Sequence, residues 1–473
     1  MSDFSSLLPP EIYPHKIRLS TETLSWLEAN LERNLSLQDF AERLFNLIAE
    51  HEIIDAEIAY MAVKAGVMTS KLSKVIDLGE AKHPAIKAYQ ALALLFRNNF
   101  SLADDYLEEA EAEAERMDDI LVLAEVFGIK IYLFNARYQF FQGIKIIQKA
   151  FEFFDSSKNK QLVEKNPSFL QWIRISGAKS LLKLGNLPEA LYTNKRALKL
   201  SNDRFFKSFS LLGIGHCFDL IGKTAESIKY YQKALKEAYE VKSYNLISII
   251  YNRLGMAVAW RMDKLIDGEN YFSEAIQSAE RGECFWLKEG PQWNLIALYR
   301  AKKDYNSAIH EIENIIESTR KIGESRTELI ALLNLGELLE EKGDLREATK
   351  VRDAADSLAS IIGIDVEEFY ESDDQEESDE DDDEIDNQED DETAEYEYDN
   401  SDEANDKSDY NGSNNDDYEY FERDDAYYKE EDDSSELFAR DNGNPNYSID
   451  ENSLDGEDDS DDILRKFFEK KKR

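Results

Sequence analysis

Apolar residues recur every three or four positions in segments such as SFSLLGIGHCFDLI (Ser208 to Ile221) and IALLNLGELLEEK (Ile330 to Lys342), the period of a helix that buries one face. After each comes a short turn and a second stretch with a skeleton of its own. In GKTAESIKYYQKAL, Gly222 to Leu235, that skeleton is a glycine, a small residue five positions on, an aromatic and an alanine. LKLGNLPEALYTNKRAL repeats it with Gly185, Ala190 and Ala197, GDLREATKVRDAA with Gly343, Ala348 and Ala355, and KDYNSAIHEIENI with Ala308 and Ile315. Weaker copies place Ala103 and Ala110, Gly143 and Ala150, and Gly268 and Ala275. The small residue therefore falls at 103, 143, 190, 227, 268, 308 and 348, and five of the six intervals lie between 37 and 41. Spacing that even predicts an all-α stack of helix-turn-helix hairpins. Gly185, Gly222 and Gly343 would sit in turns that need φ > 0, and the small residues where two helices approach to about 8 Å.

On these residues the chain resembles the tetratricopeptide-repeat (TPR) family. Leu254-Gly255 and Leu335-Gly336 stand where the first helix of that family's unit carries a Leu-Gly pair, and Tyr231 and Phe272 where its second helix carries an aromatic. The resemblance covers roughly residues 80 to 362. It departs in a period nearer 40 than 34 residues, in the missing trailing proline and in the longer interval before Ala190. What it implies is a TPR-like α-solenoid whose groove takes a peptide or a helix: a protein-binding scaffold or adaptor without chemistry of its own. Carried across in the family's phase, the inner face would include Trp172, Lys179, Lys183, His216, Asn252, Met256, Trp260, Trp293 and Arg300. Each has a plainer role open to it, since an aromatic at helical spacing serves a core and a lone histidine a hydrogen bond. Trp260 and Trp293 stand out, because aromatics dominate interface hot spots. The lysine-and-asparagine clamp of the subclass that grips C-terminal carboxylates is replaced by Ile175, Leu212 and Trp293, with only Asn252 polar, which argues against that client.

MAVKAGVMTSKLSKVI, Met61 to Ile76, resembles a DNA-reading helix-turn-helix. Ala62, Gly66, Val67, Leu72 and Val75 take its apolar and turn slots, and Thr69, Ser70, Lys71, Ser73 and Lys74 would face outward from a recognition helix. Joined to TPR-like repeats, such a domain implies a sensor-type transcriptional regulator, the alternative to the scaffold. A repeat hairpin generates the same apolar slots without DNA, and only Lys64, Lys71 and Lys74 are basic nearby.

Charge then divides the chain. Of 473 residues, 99 are acidic and 56 basic, and 47 of the acidic with 10 of the basic lie from 365 to 473. The organisation expected is an N-terminal extension over 1–20, a helical cap or helix-turn-helix-like segment over 21–80, the repeat stack over 81–364, and an intrinsically disordered acidic tail over 365–473 that ends in the basic amphipathic DDILRKFFEKKKR. The tail has three roles open to it: a solvated bristle, a binder of basic proteins, or a pseudo-ligand folding back on the groove. No residues cluster as a catalytic or metal site, and no cofactor is expected. GIGHCF follows no strand, HEIID lacks the second histidine of a zinc helix, and Cys217 and Cys284 read as buried, reduced thiols. No apolar run approaches the roughly 18 residues of a membrane span, and the first residues lack a signal peptide's pattern. The expected compartment is the cytoplasm, or the nucleus where there is one.

Overall fold

The computed structural model describes residues 8–9, 20–51, 56–78, 83–117, 119–154, 170–201 and 203–364. The tail expected over 365–473 and nearly all of the expected N-terminal extension lie outside them. Among the described residues there are eighteen α-helices and no strand. Four precede the repeats: α1 (Thr21–Asn30), α2 (Leu37–His51), α3 (Ala56–Met68) and α4 (Leu72–Ile76). Turn-linked pairs follow: α5 (Pro84–Phe96) with α6 (Phe100–Met117), α7 (Ile120–Ala136) with α8 (Phe140–Phe154), α9 (Gln171–Lys183) with α10 (Leu187–Leu200), and α11 (Arg204–Leu220) with α12 (Thr224–Val241). The last are α13 (Tyr244–Met256) with α14 (Leu265–Arg281), α15 (Glu289–Ala301) with α16 (Tyr305–Ile322), and α17 (Ser325–Lys342) with α18 (Leu345–Ile362). The described residues divide within α16 into two units, one ending at Glu311 and one starting at Ile312.

One turn geometry joins six of the pairs. The backbone N–H of Asn99, Gln139, Asn186, Lys223, Asp304 and Asp344 each donates to the carbonyl five residues earlier at 2.8–2.9 Å, the closing bond of a Schellman motif. The residue before each donor is left-handed. At Gly185, Gly222 and Gly343 the missing Cβ makes this easy, as the sequence leads one to expect. Asn98, Tyr138 and Lys303 adopt it too, at φ of 64°, 60° and 58°, so half of these turns carry no glycine mark. The α13–α14 turn differs: Ala257–Arg261 is a π-helical turn, and Lys264 N–H reaches back to the Val258 carbonyl at 3.0 Å.

The recurring skeleton explains itself in the packing of the first unit. Ala103, Ala190, Ser227 and Ala308 are all fully buried. A Cβ added at Gly215 would lie 2.6 Å from the Tyr231 ring, and one at Gly255 would lie 2.5 Å from the Phe272 ring. In α12 and α14 the aromatic of the second helix thus lies on the bare backbone of the first, which is why the glycine and the aromatic go together in those two pairs.

A buried polar cluster joins α3, α5, α7 and α9. Lys64 Nζ lies 2.8 Å from Glu125 Oε1, the Tyr60 hydroxyl donates to Glu125 Oε2 at 2.5 Å, and the Tyr89 hydroxyl donates to Oε1 at 3.2 Å. Trp172 Nε1 donates in turn to the Tyr89 hydroxyl at 3.3 Å. All five side chains are buried. Burial, with the Glu125 charge next in weight, pushes the Tyr89 phenol well above its ordinary range.

The first unit also closes on itself. Ser70 Oγ accepts from Asn245 N–H at 3.2 Å, and Arg97 bridges Ser73 Oγ (2.8 Å) and Glu283 Oε2 (2.7 Å). The Arg97 guanidinium lies 5.1 Å from the Phe285 ring centroid, and Trp286 packs against Phe96 and Phe100. Residues 70–100 are therefore clasped to residues 245–286.

The second unit holds its own core, where Ile312, Ile315, Leu329, Leu338, Ala355 and Ala359 are buried. A cleft of about 580 Å³ opens in it between Ile316, Leu335 and Val351, edged by Glu317, Lys321 and Lys350.

Candidate functional site: a cationic strip on the first helices

The first helices of successive pairs lie side by side, α9 against α11 and α11 against α13. Lys179 and Lys183 stand one turn apart in the second half of α9, His216 takes the equivalent part of α11, and Arg253 that of α13; all four are partly buried. Their convergence shows in the imidazole. Burial first, then the positive charges of Arg253, Lys183 and Lys179, hold His216 well below the ordinary histidine range. One carboxylate shares α11 with it, the buried Asp219. Beyond Arg253, Asn252 Oδ1 accepts from Asn294 Nδ2 of α15 at 3.1 Å, and Asn294 also donates to the Gly290 carbonyl at 3.1 Å. The strip thus gathers positive charge, in side chains that already hold partners of their own such as Met256 Sδ for Arg253, and at one end side-chain amides.

The structure brings together Lys179, Lys183 and His216 of the expected inner face, with Asn252 at their edge. Trp293 and Arg300 stand two turns apart on α15, both partly buried. Trp260 is packed by one side against Met256, Ala259, Phe272, Leu295 and Leu298. Two expectations are corrected. Trp172 is 3 % exposed, enclosed by Tyr132, Phe205, Phe206 and Phe209 at ring distances of 5.3–6.1 Å, and Met256 is 5 % exposed in the cluster with Phe272. Both rotate into the helix–helix seam, the ordinary place for large apolar groups. Arg253 is the residue that sequence reasoning passed over. A signal for it existed: Lys179, His216 and Arg253 are each 37 residues apart.

The helix-turn-helix-like segment is corrected as well. Its apolar slots Ala62, Val67, Leu72 and Val75 are buried as expected, but α4 is a single short helix of five residues. Thr69 and Ser70 are buried, not outward: Thr69 Oγ1 donates to the Ala65 carbonyl at 2.7 Å and Ser70 meets Asn245. Lys71 Nζ lies 3.5 Å from Glu42 Oε2, and Lys74 bonds the other oxygen of the same carboxylate, holding Glu42 below the usual carboxylate range through the Lys74 hydrogen bond first. Ser73 donates to Glu283. The face a recognition helix would present is occupied by carboxylates and by α13.

The cysteines are buried, and burial pushes the Cys217 thiol up to about 12 and Cys284 higher still, the condition of inert thiols. No helix of the described residues is long and apolar enough to cross a membrane.

The depressed His216 has a measurable consequence. Because the folded state binds its proton less readily than the unfolded chain, the neutral ring's share of stability is present above about pH 6.5 and is lost as pH falls through the lower folded value. Urea midpoints measured from pH 7.5 down to 5 should therefore fall less steeply for His216→Gln than for the native chain.

No family model and no curated protein matches the sequence. Among solved structures the chain is similar to a Rap protein complexed with competence and sporulation factor, at 14% identity over 68% of this chain and 92% of that one, with a TM-score of 0.46. It is also similar to BtubC from P. vanneervenii (20% identity, 47% of this chain and 92% of that one, TM-score 0.41). A third is a signal transduction ATPase with numerous domains and a tetratricopeptide repeat sensor from Pyrococcus horikoshii (17% identity, 71% of this chain and 54% of that one, TM-score 0.40). By its own hairpins, turns and glycine–aromatic seams the chain is a TPR-like α-solenoid of roughly 40-residue helical repeats.

Proposed function

We propose that this chain is a non-enzymatic protein-binding scaffold whose first-helix face takes an acidic, extended polypeptide segment. The observation that carries the reading is the ladder of Lys179, His216 and Arg253 at one interval on three adjacent helices, with Lys183 beside it. Charge-assisted hydrogen bonds from lysine and arginine are the strong way to hold carboxylates in a partly dehydrated groove. Asn252 and Asn294 continue the strip with carboxamides, which match the donor and acceptor of a peptide group and would meet the segment's backbone. His216, neutral at pH 7, adds no charge of its own, and its proton affinity rises when an anion enters.

The test is a fluorescence-anisotropy titration of the full chain with a labelled peptide of mixed Asp and Glu. Saturable binding is expected, weakened about tenfold by Arg253→Gln and by Lys183→Gln, one charge-assisted contact each. Binding indifferent to both substitutions, or tighter binding of a single-stranded oligonucleotide of equal charge, overturns the reading.

A further inference from the structure

The second helices of the first unit carry a surface of their own, independent of the strip. α12 and α14 flank α13, and a row of tyrosines crosses from one to the other: the Tyr239 ring of α12 stands 6.4 Å from Tyr251 of α13, and Tyr251 stands 6.0 Å from Tyr271 of α14. The hydroxyls of Tyr239 and Tyr251 share a hydrogen bond of 2.7 Å, and Tyr239 is 46 % exposed. Burial first, then Tyr239 and the Glu274 charge, push the Tyr251 phenol above its ordinary range, so Glu274 stands beside the row. The tyrosines floor a furrow walled by α12 and α14.

The two walls carry opposite charge that the chain itself does not pair. Glu237 and Glu240 of α12 are held by Arg204, and Glu269 and Glu280 of α14 by Lys302 and Lys288. That leaves Lys229 and Lys236, both exposed, on α12, and the exposed Asp267 with the partly buried Glu274 on α14; among the described residues none of these four is in an ion pair. The lysines are seven residues apart and so are the carboxylates, about two turns or roughly 10.5 Å of helix in each case. Equal spacing has a consequence for symmetry. Give a second copy a half-turn about an axis normal to the furrow, and α12 of each copy runs antiparallel over α14 of the other, with Lys229 facing Glu274 and Lys236 facing Asp267, twice over. A wholly acidic segment would be repelled by α14 and a wholly basic one by α12, so the occupant must carry both signs at this spacing. We infer that the furrow is a contact between two copies of this chain, a two-fold dimer with the tyrosine rows at its centre. α12 and α14, of 18 and 17 residues, make a face about 27 Å long and about 20 Å across, so the pair buries on the order of 1,100 Å², the lower edge of stable interfaces. The dimer is therefore weak, dissociating on the order of tens of micromolar.

The experiment is sedimentation velocity on the full chain from about 1 to about 200 μM in about 150 mM salt, where only charges within about 8 Å of each other act strongly. The native chain is expected to pass from monomer to dimer across that range. Lys229→Glu/Lys236→Glu makes both walls acidic and Asp267→Lys/Glu274→Lys makes both basic, so each variant alone should associate at least about tenfold more weakly. Mixed in equal amounts, the two variants should dimerise again, because each supplies the charge that the other lacks. That recovery also shows that both variants are folded. A native chain that stays monomeric throughout overturns the inference; so does either variant associating as the native chain does, which puts the interface elsewhere, and so does a mixture that stays monomeric. Lys179, Lys183, His216 and Arg253 take no part in the contact, so none of these outcomes bears on the reading of the strip.

Discussion

Glu125→Leu is expected to destabilise the first unit by about 3–5 kcal/mol, more than Lys64→Met. The two halves of the pair are not equivalent. When Lys64 is removed, the carboxylate keeps the hydroxyls of Tyr60 and Tyr89 at 2.5 and 3.2 Å, two donors suited to an anion. When Glu125 is removed, the ammonium of a 4 % exposed lysine loses its carboxylate and is left about 6.0 Å from the ring centroids of those tyrosines. The double variant Lys64→Met/Glu125→Leu should recover most of the loss, since an apolar pair of similar volume dispenses with both desolvation penalties. Urea denaturation of the four chains at pH 7 measures this; equal losses for the two single variants would contradict the asymmetry.

Gly128→Ala should cost about 3 kcal/mol, although alanine is the better helix former by about 1 kcal/mol. The new methyl would stand 2.2 Å from Trp172 Cβ and 2.9 Å from both the Ile173 nitrogen and the Trp172 carbonyl carbon. Those are backbone or backbone-anchored atoms, so relief requires moving α9 away from α7. Gly177→Ala is the internal control on α9. Its methyl would meet the far end of Ile147 at 3.0 Å, a side-chain tip that can turn aside, and near-neutral stability is expected. Thermal midpoints of the two variants should separate by several degrees; coincident midpoints would mean that the α7–α9 seam is plastic.

The hairpin architecture was readable because its two determinants are local. A glycine such as Gly222 ends one helix, and a small residue such as Ser227 admits the next, whatever lies elsewhere in the chain. The turns at Asn98, Tyr138 and Lys303 were harder to read, since there the left-handed residue is imposed by the helices on either side. Assigning faces was harder again. One position along a helix turns a side chain by about 100°, so a phase borrowed from a family with a shorter repeat sends Trp172 and Met256 to the groove when they belong to the seam. The same uncertainty hid Arg253 behind its neighbour Asn252. The segment from Met61 to Ile76 failed for another reason. Its apolar slots serve a structural hairpin and a DNA-reading one alike, and what distinguishes them is the cover supplied by Asn245 and Glu283, 175 and 210 residues away from Ser70 and Ser73.

That cover changes what kind of object the first unit is. In an open array of repeats each module answers only to its neighbours, and an end can fray while the middle persists. The bond from Arg97 to Glu283, spanning 186 residues of sequence, turns the array into a closed circuit. An open array can yield locally to a guest by bending between two modules; a closed circuit distributes any such bend around its circumference until the clasp takes up the remainder. If the strip takes a guest as proposed, the strain is expected to reach the clasp, and a spectroscopic label beside Arg97 should respond to peptide titrated onto the full chain; no response would mean that the two ends act independently.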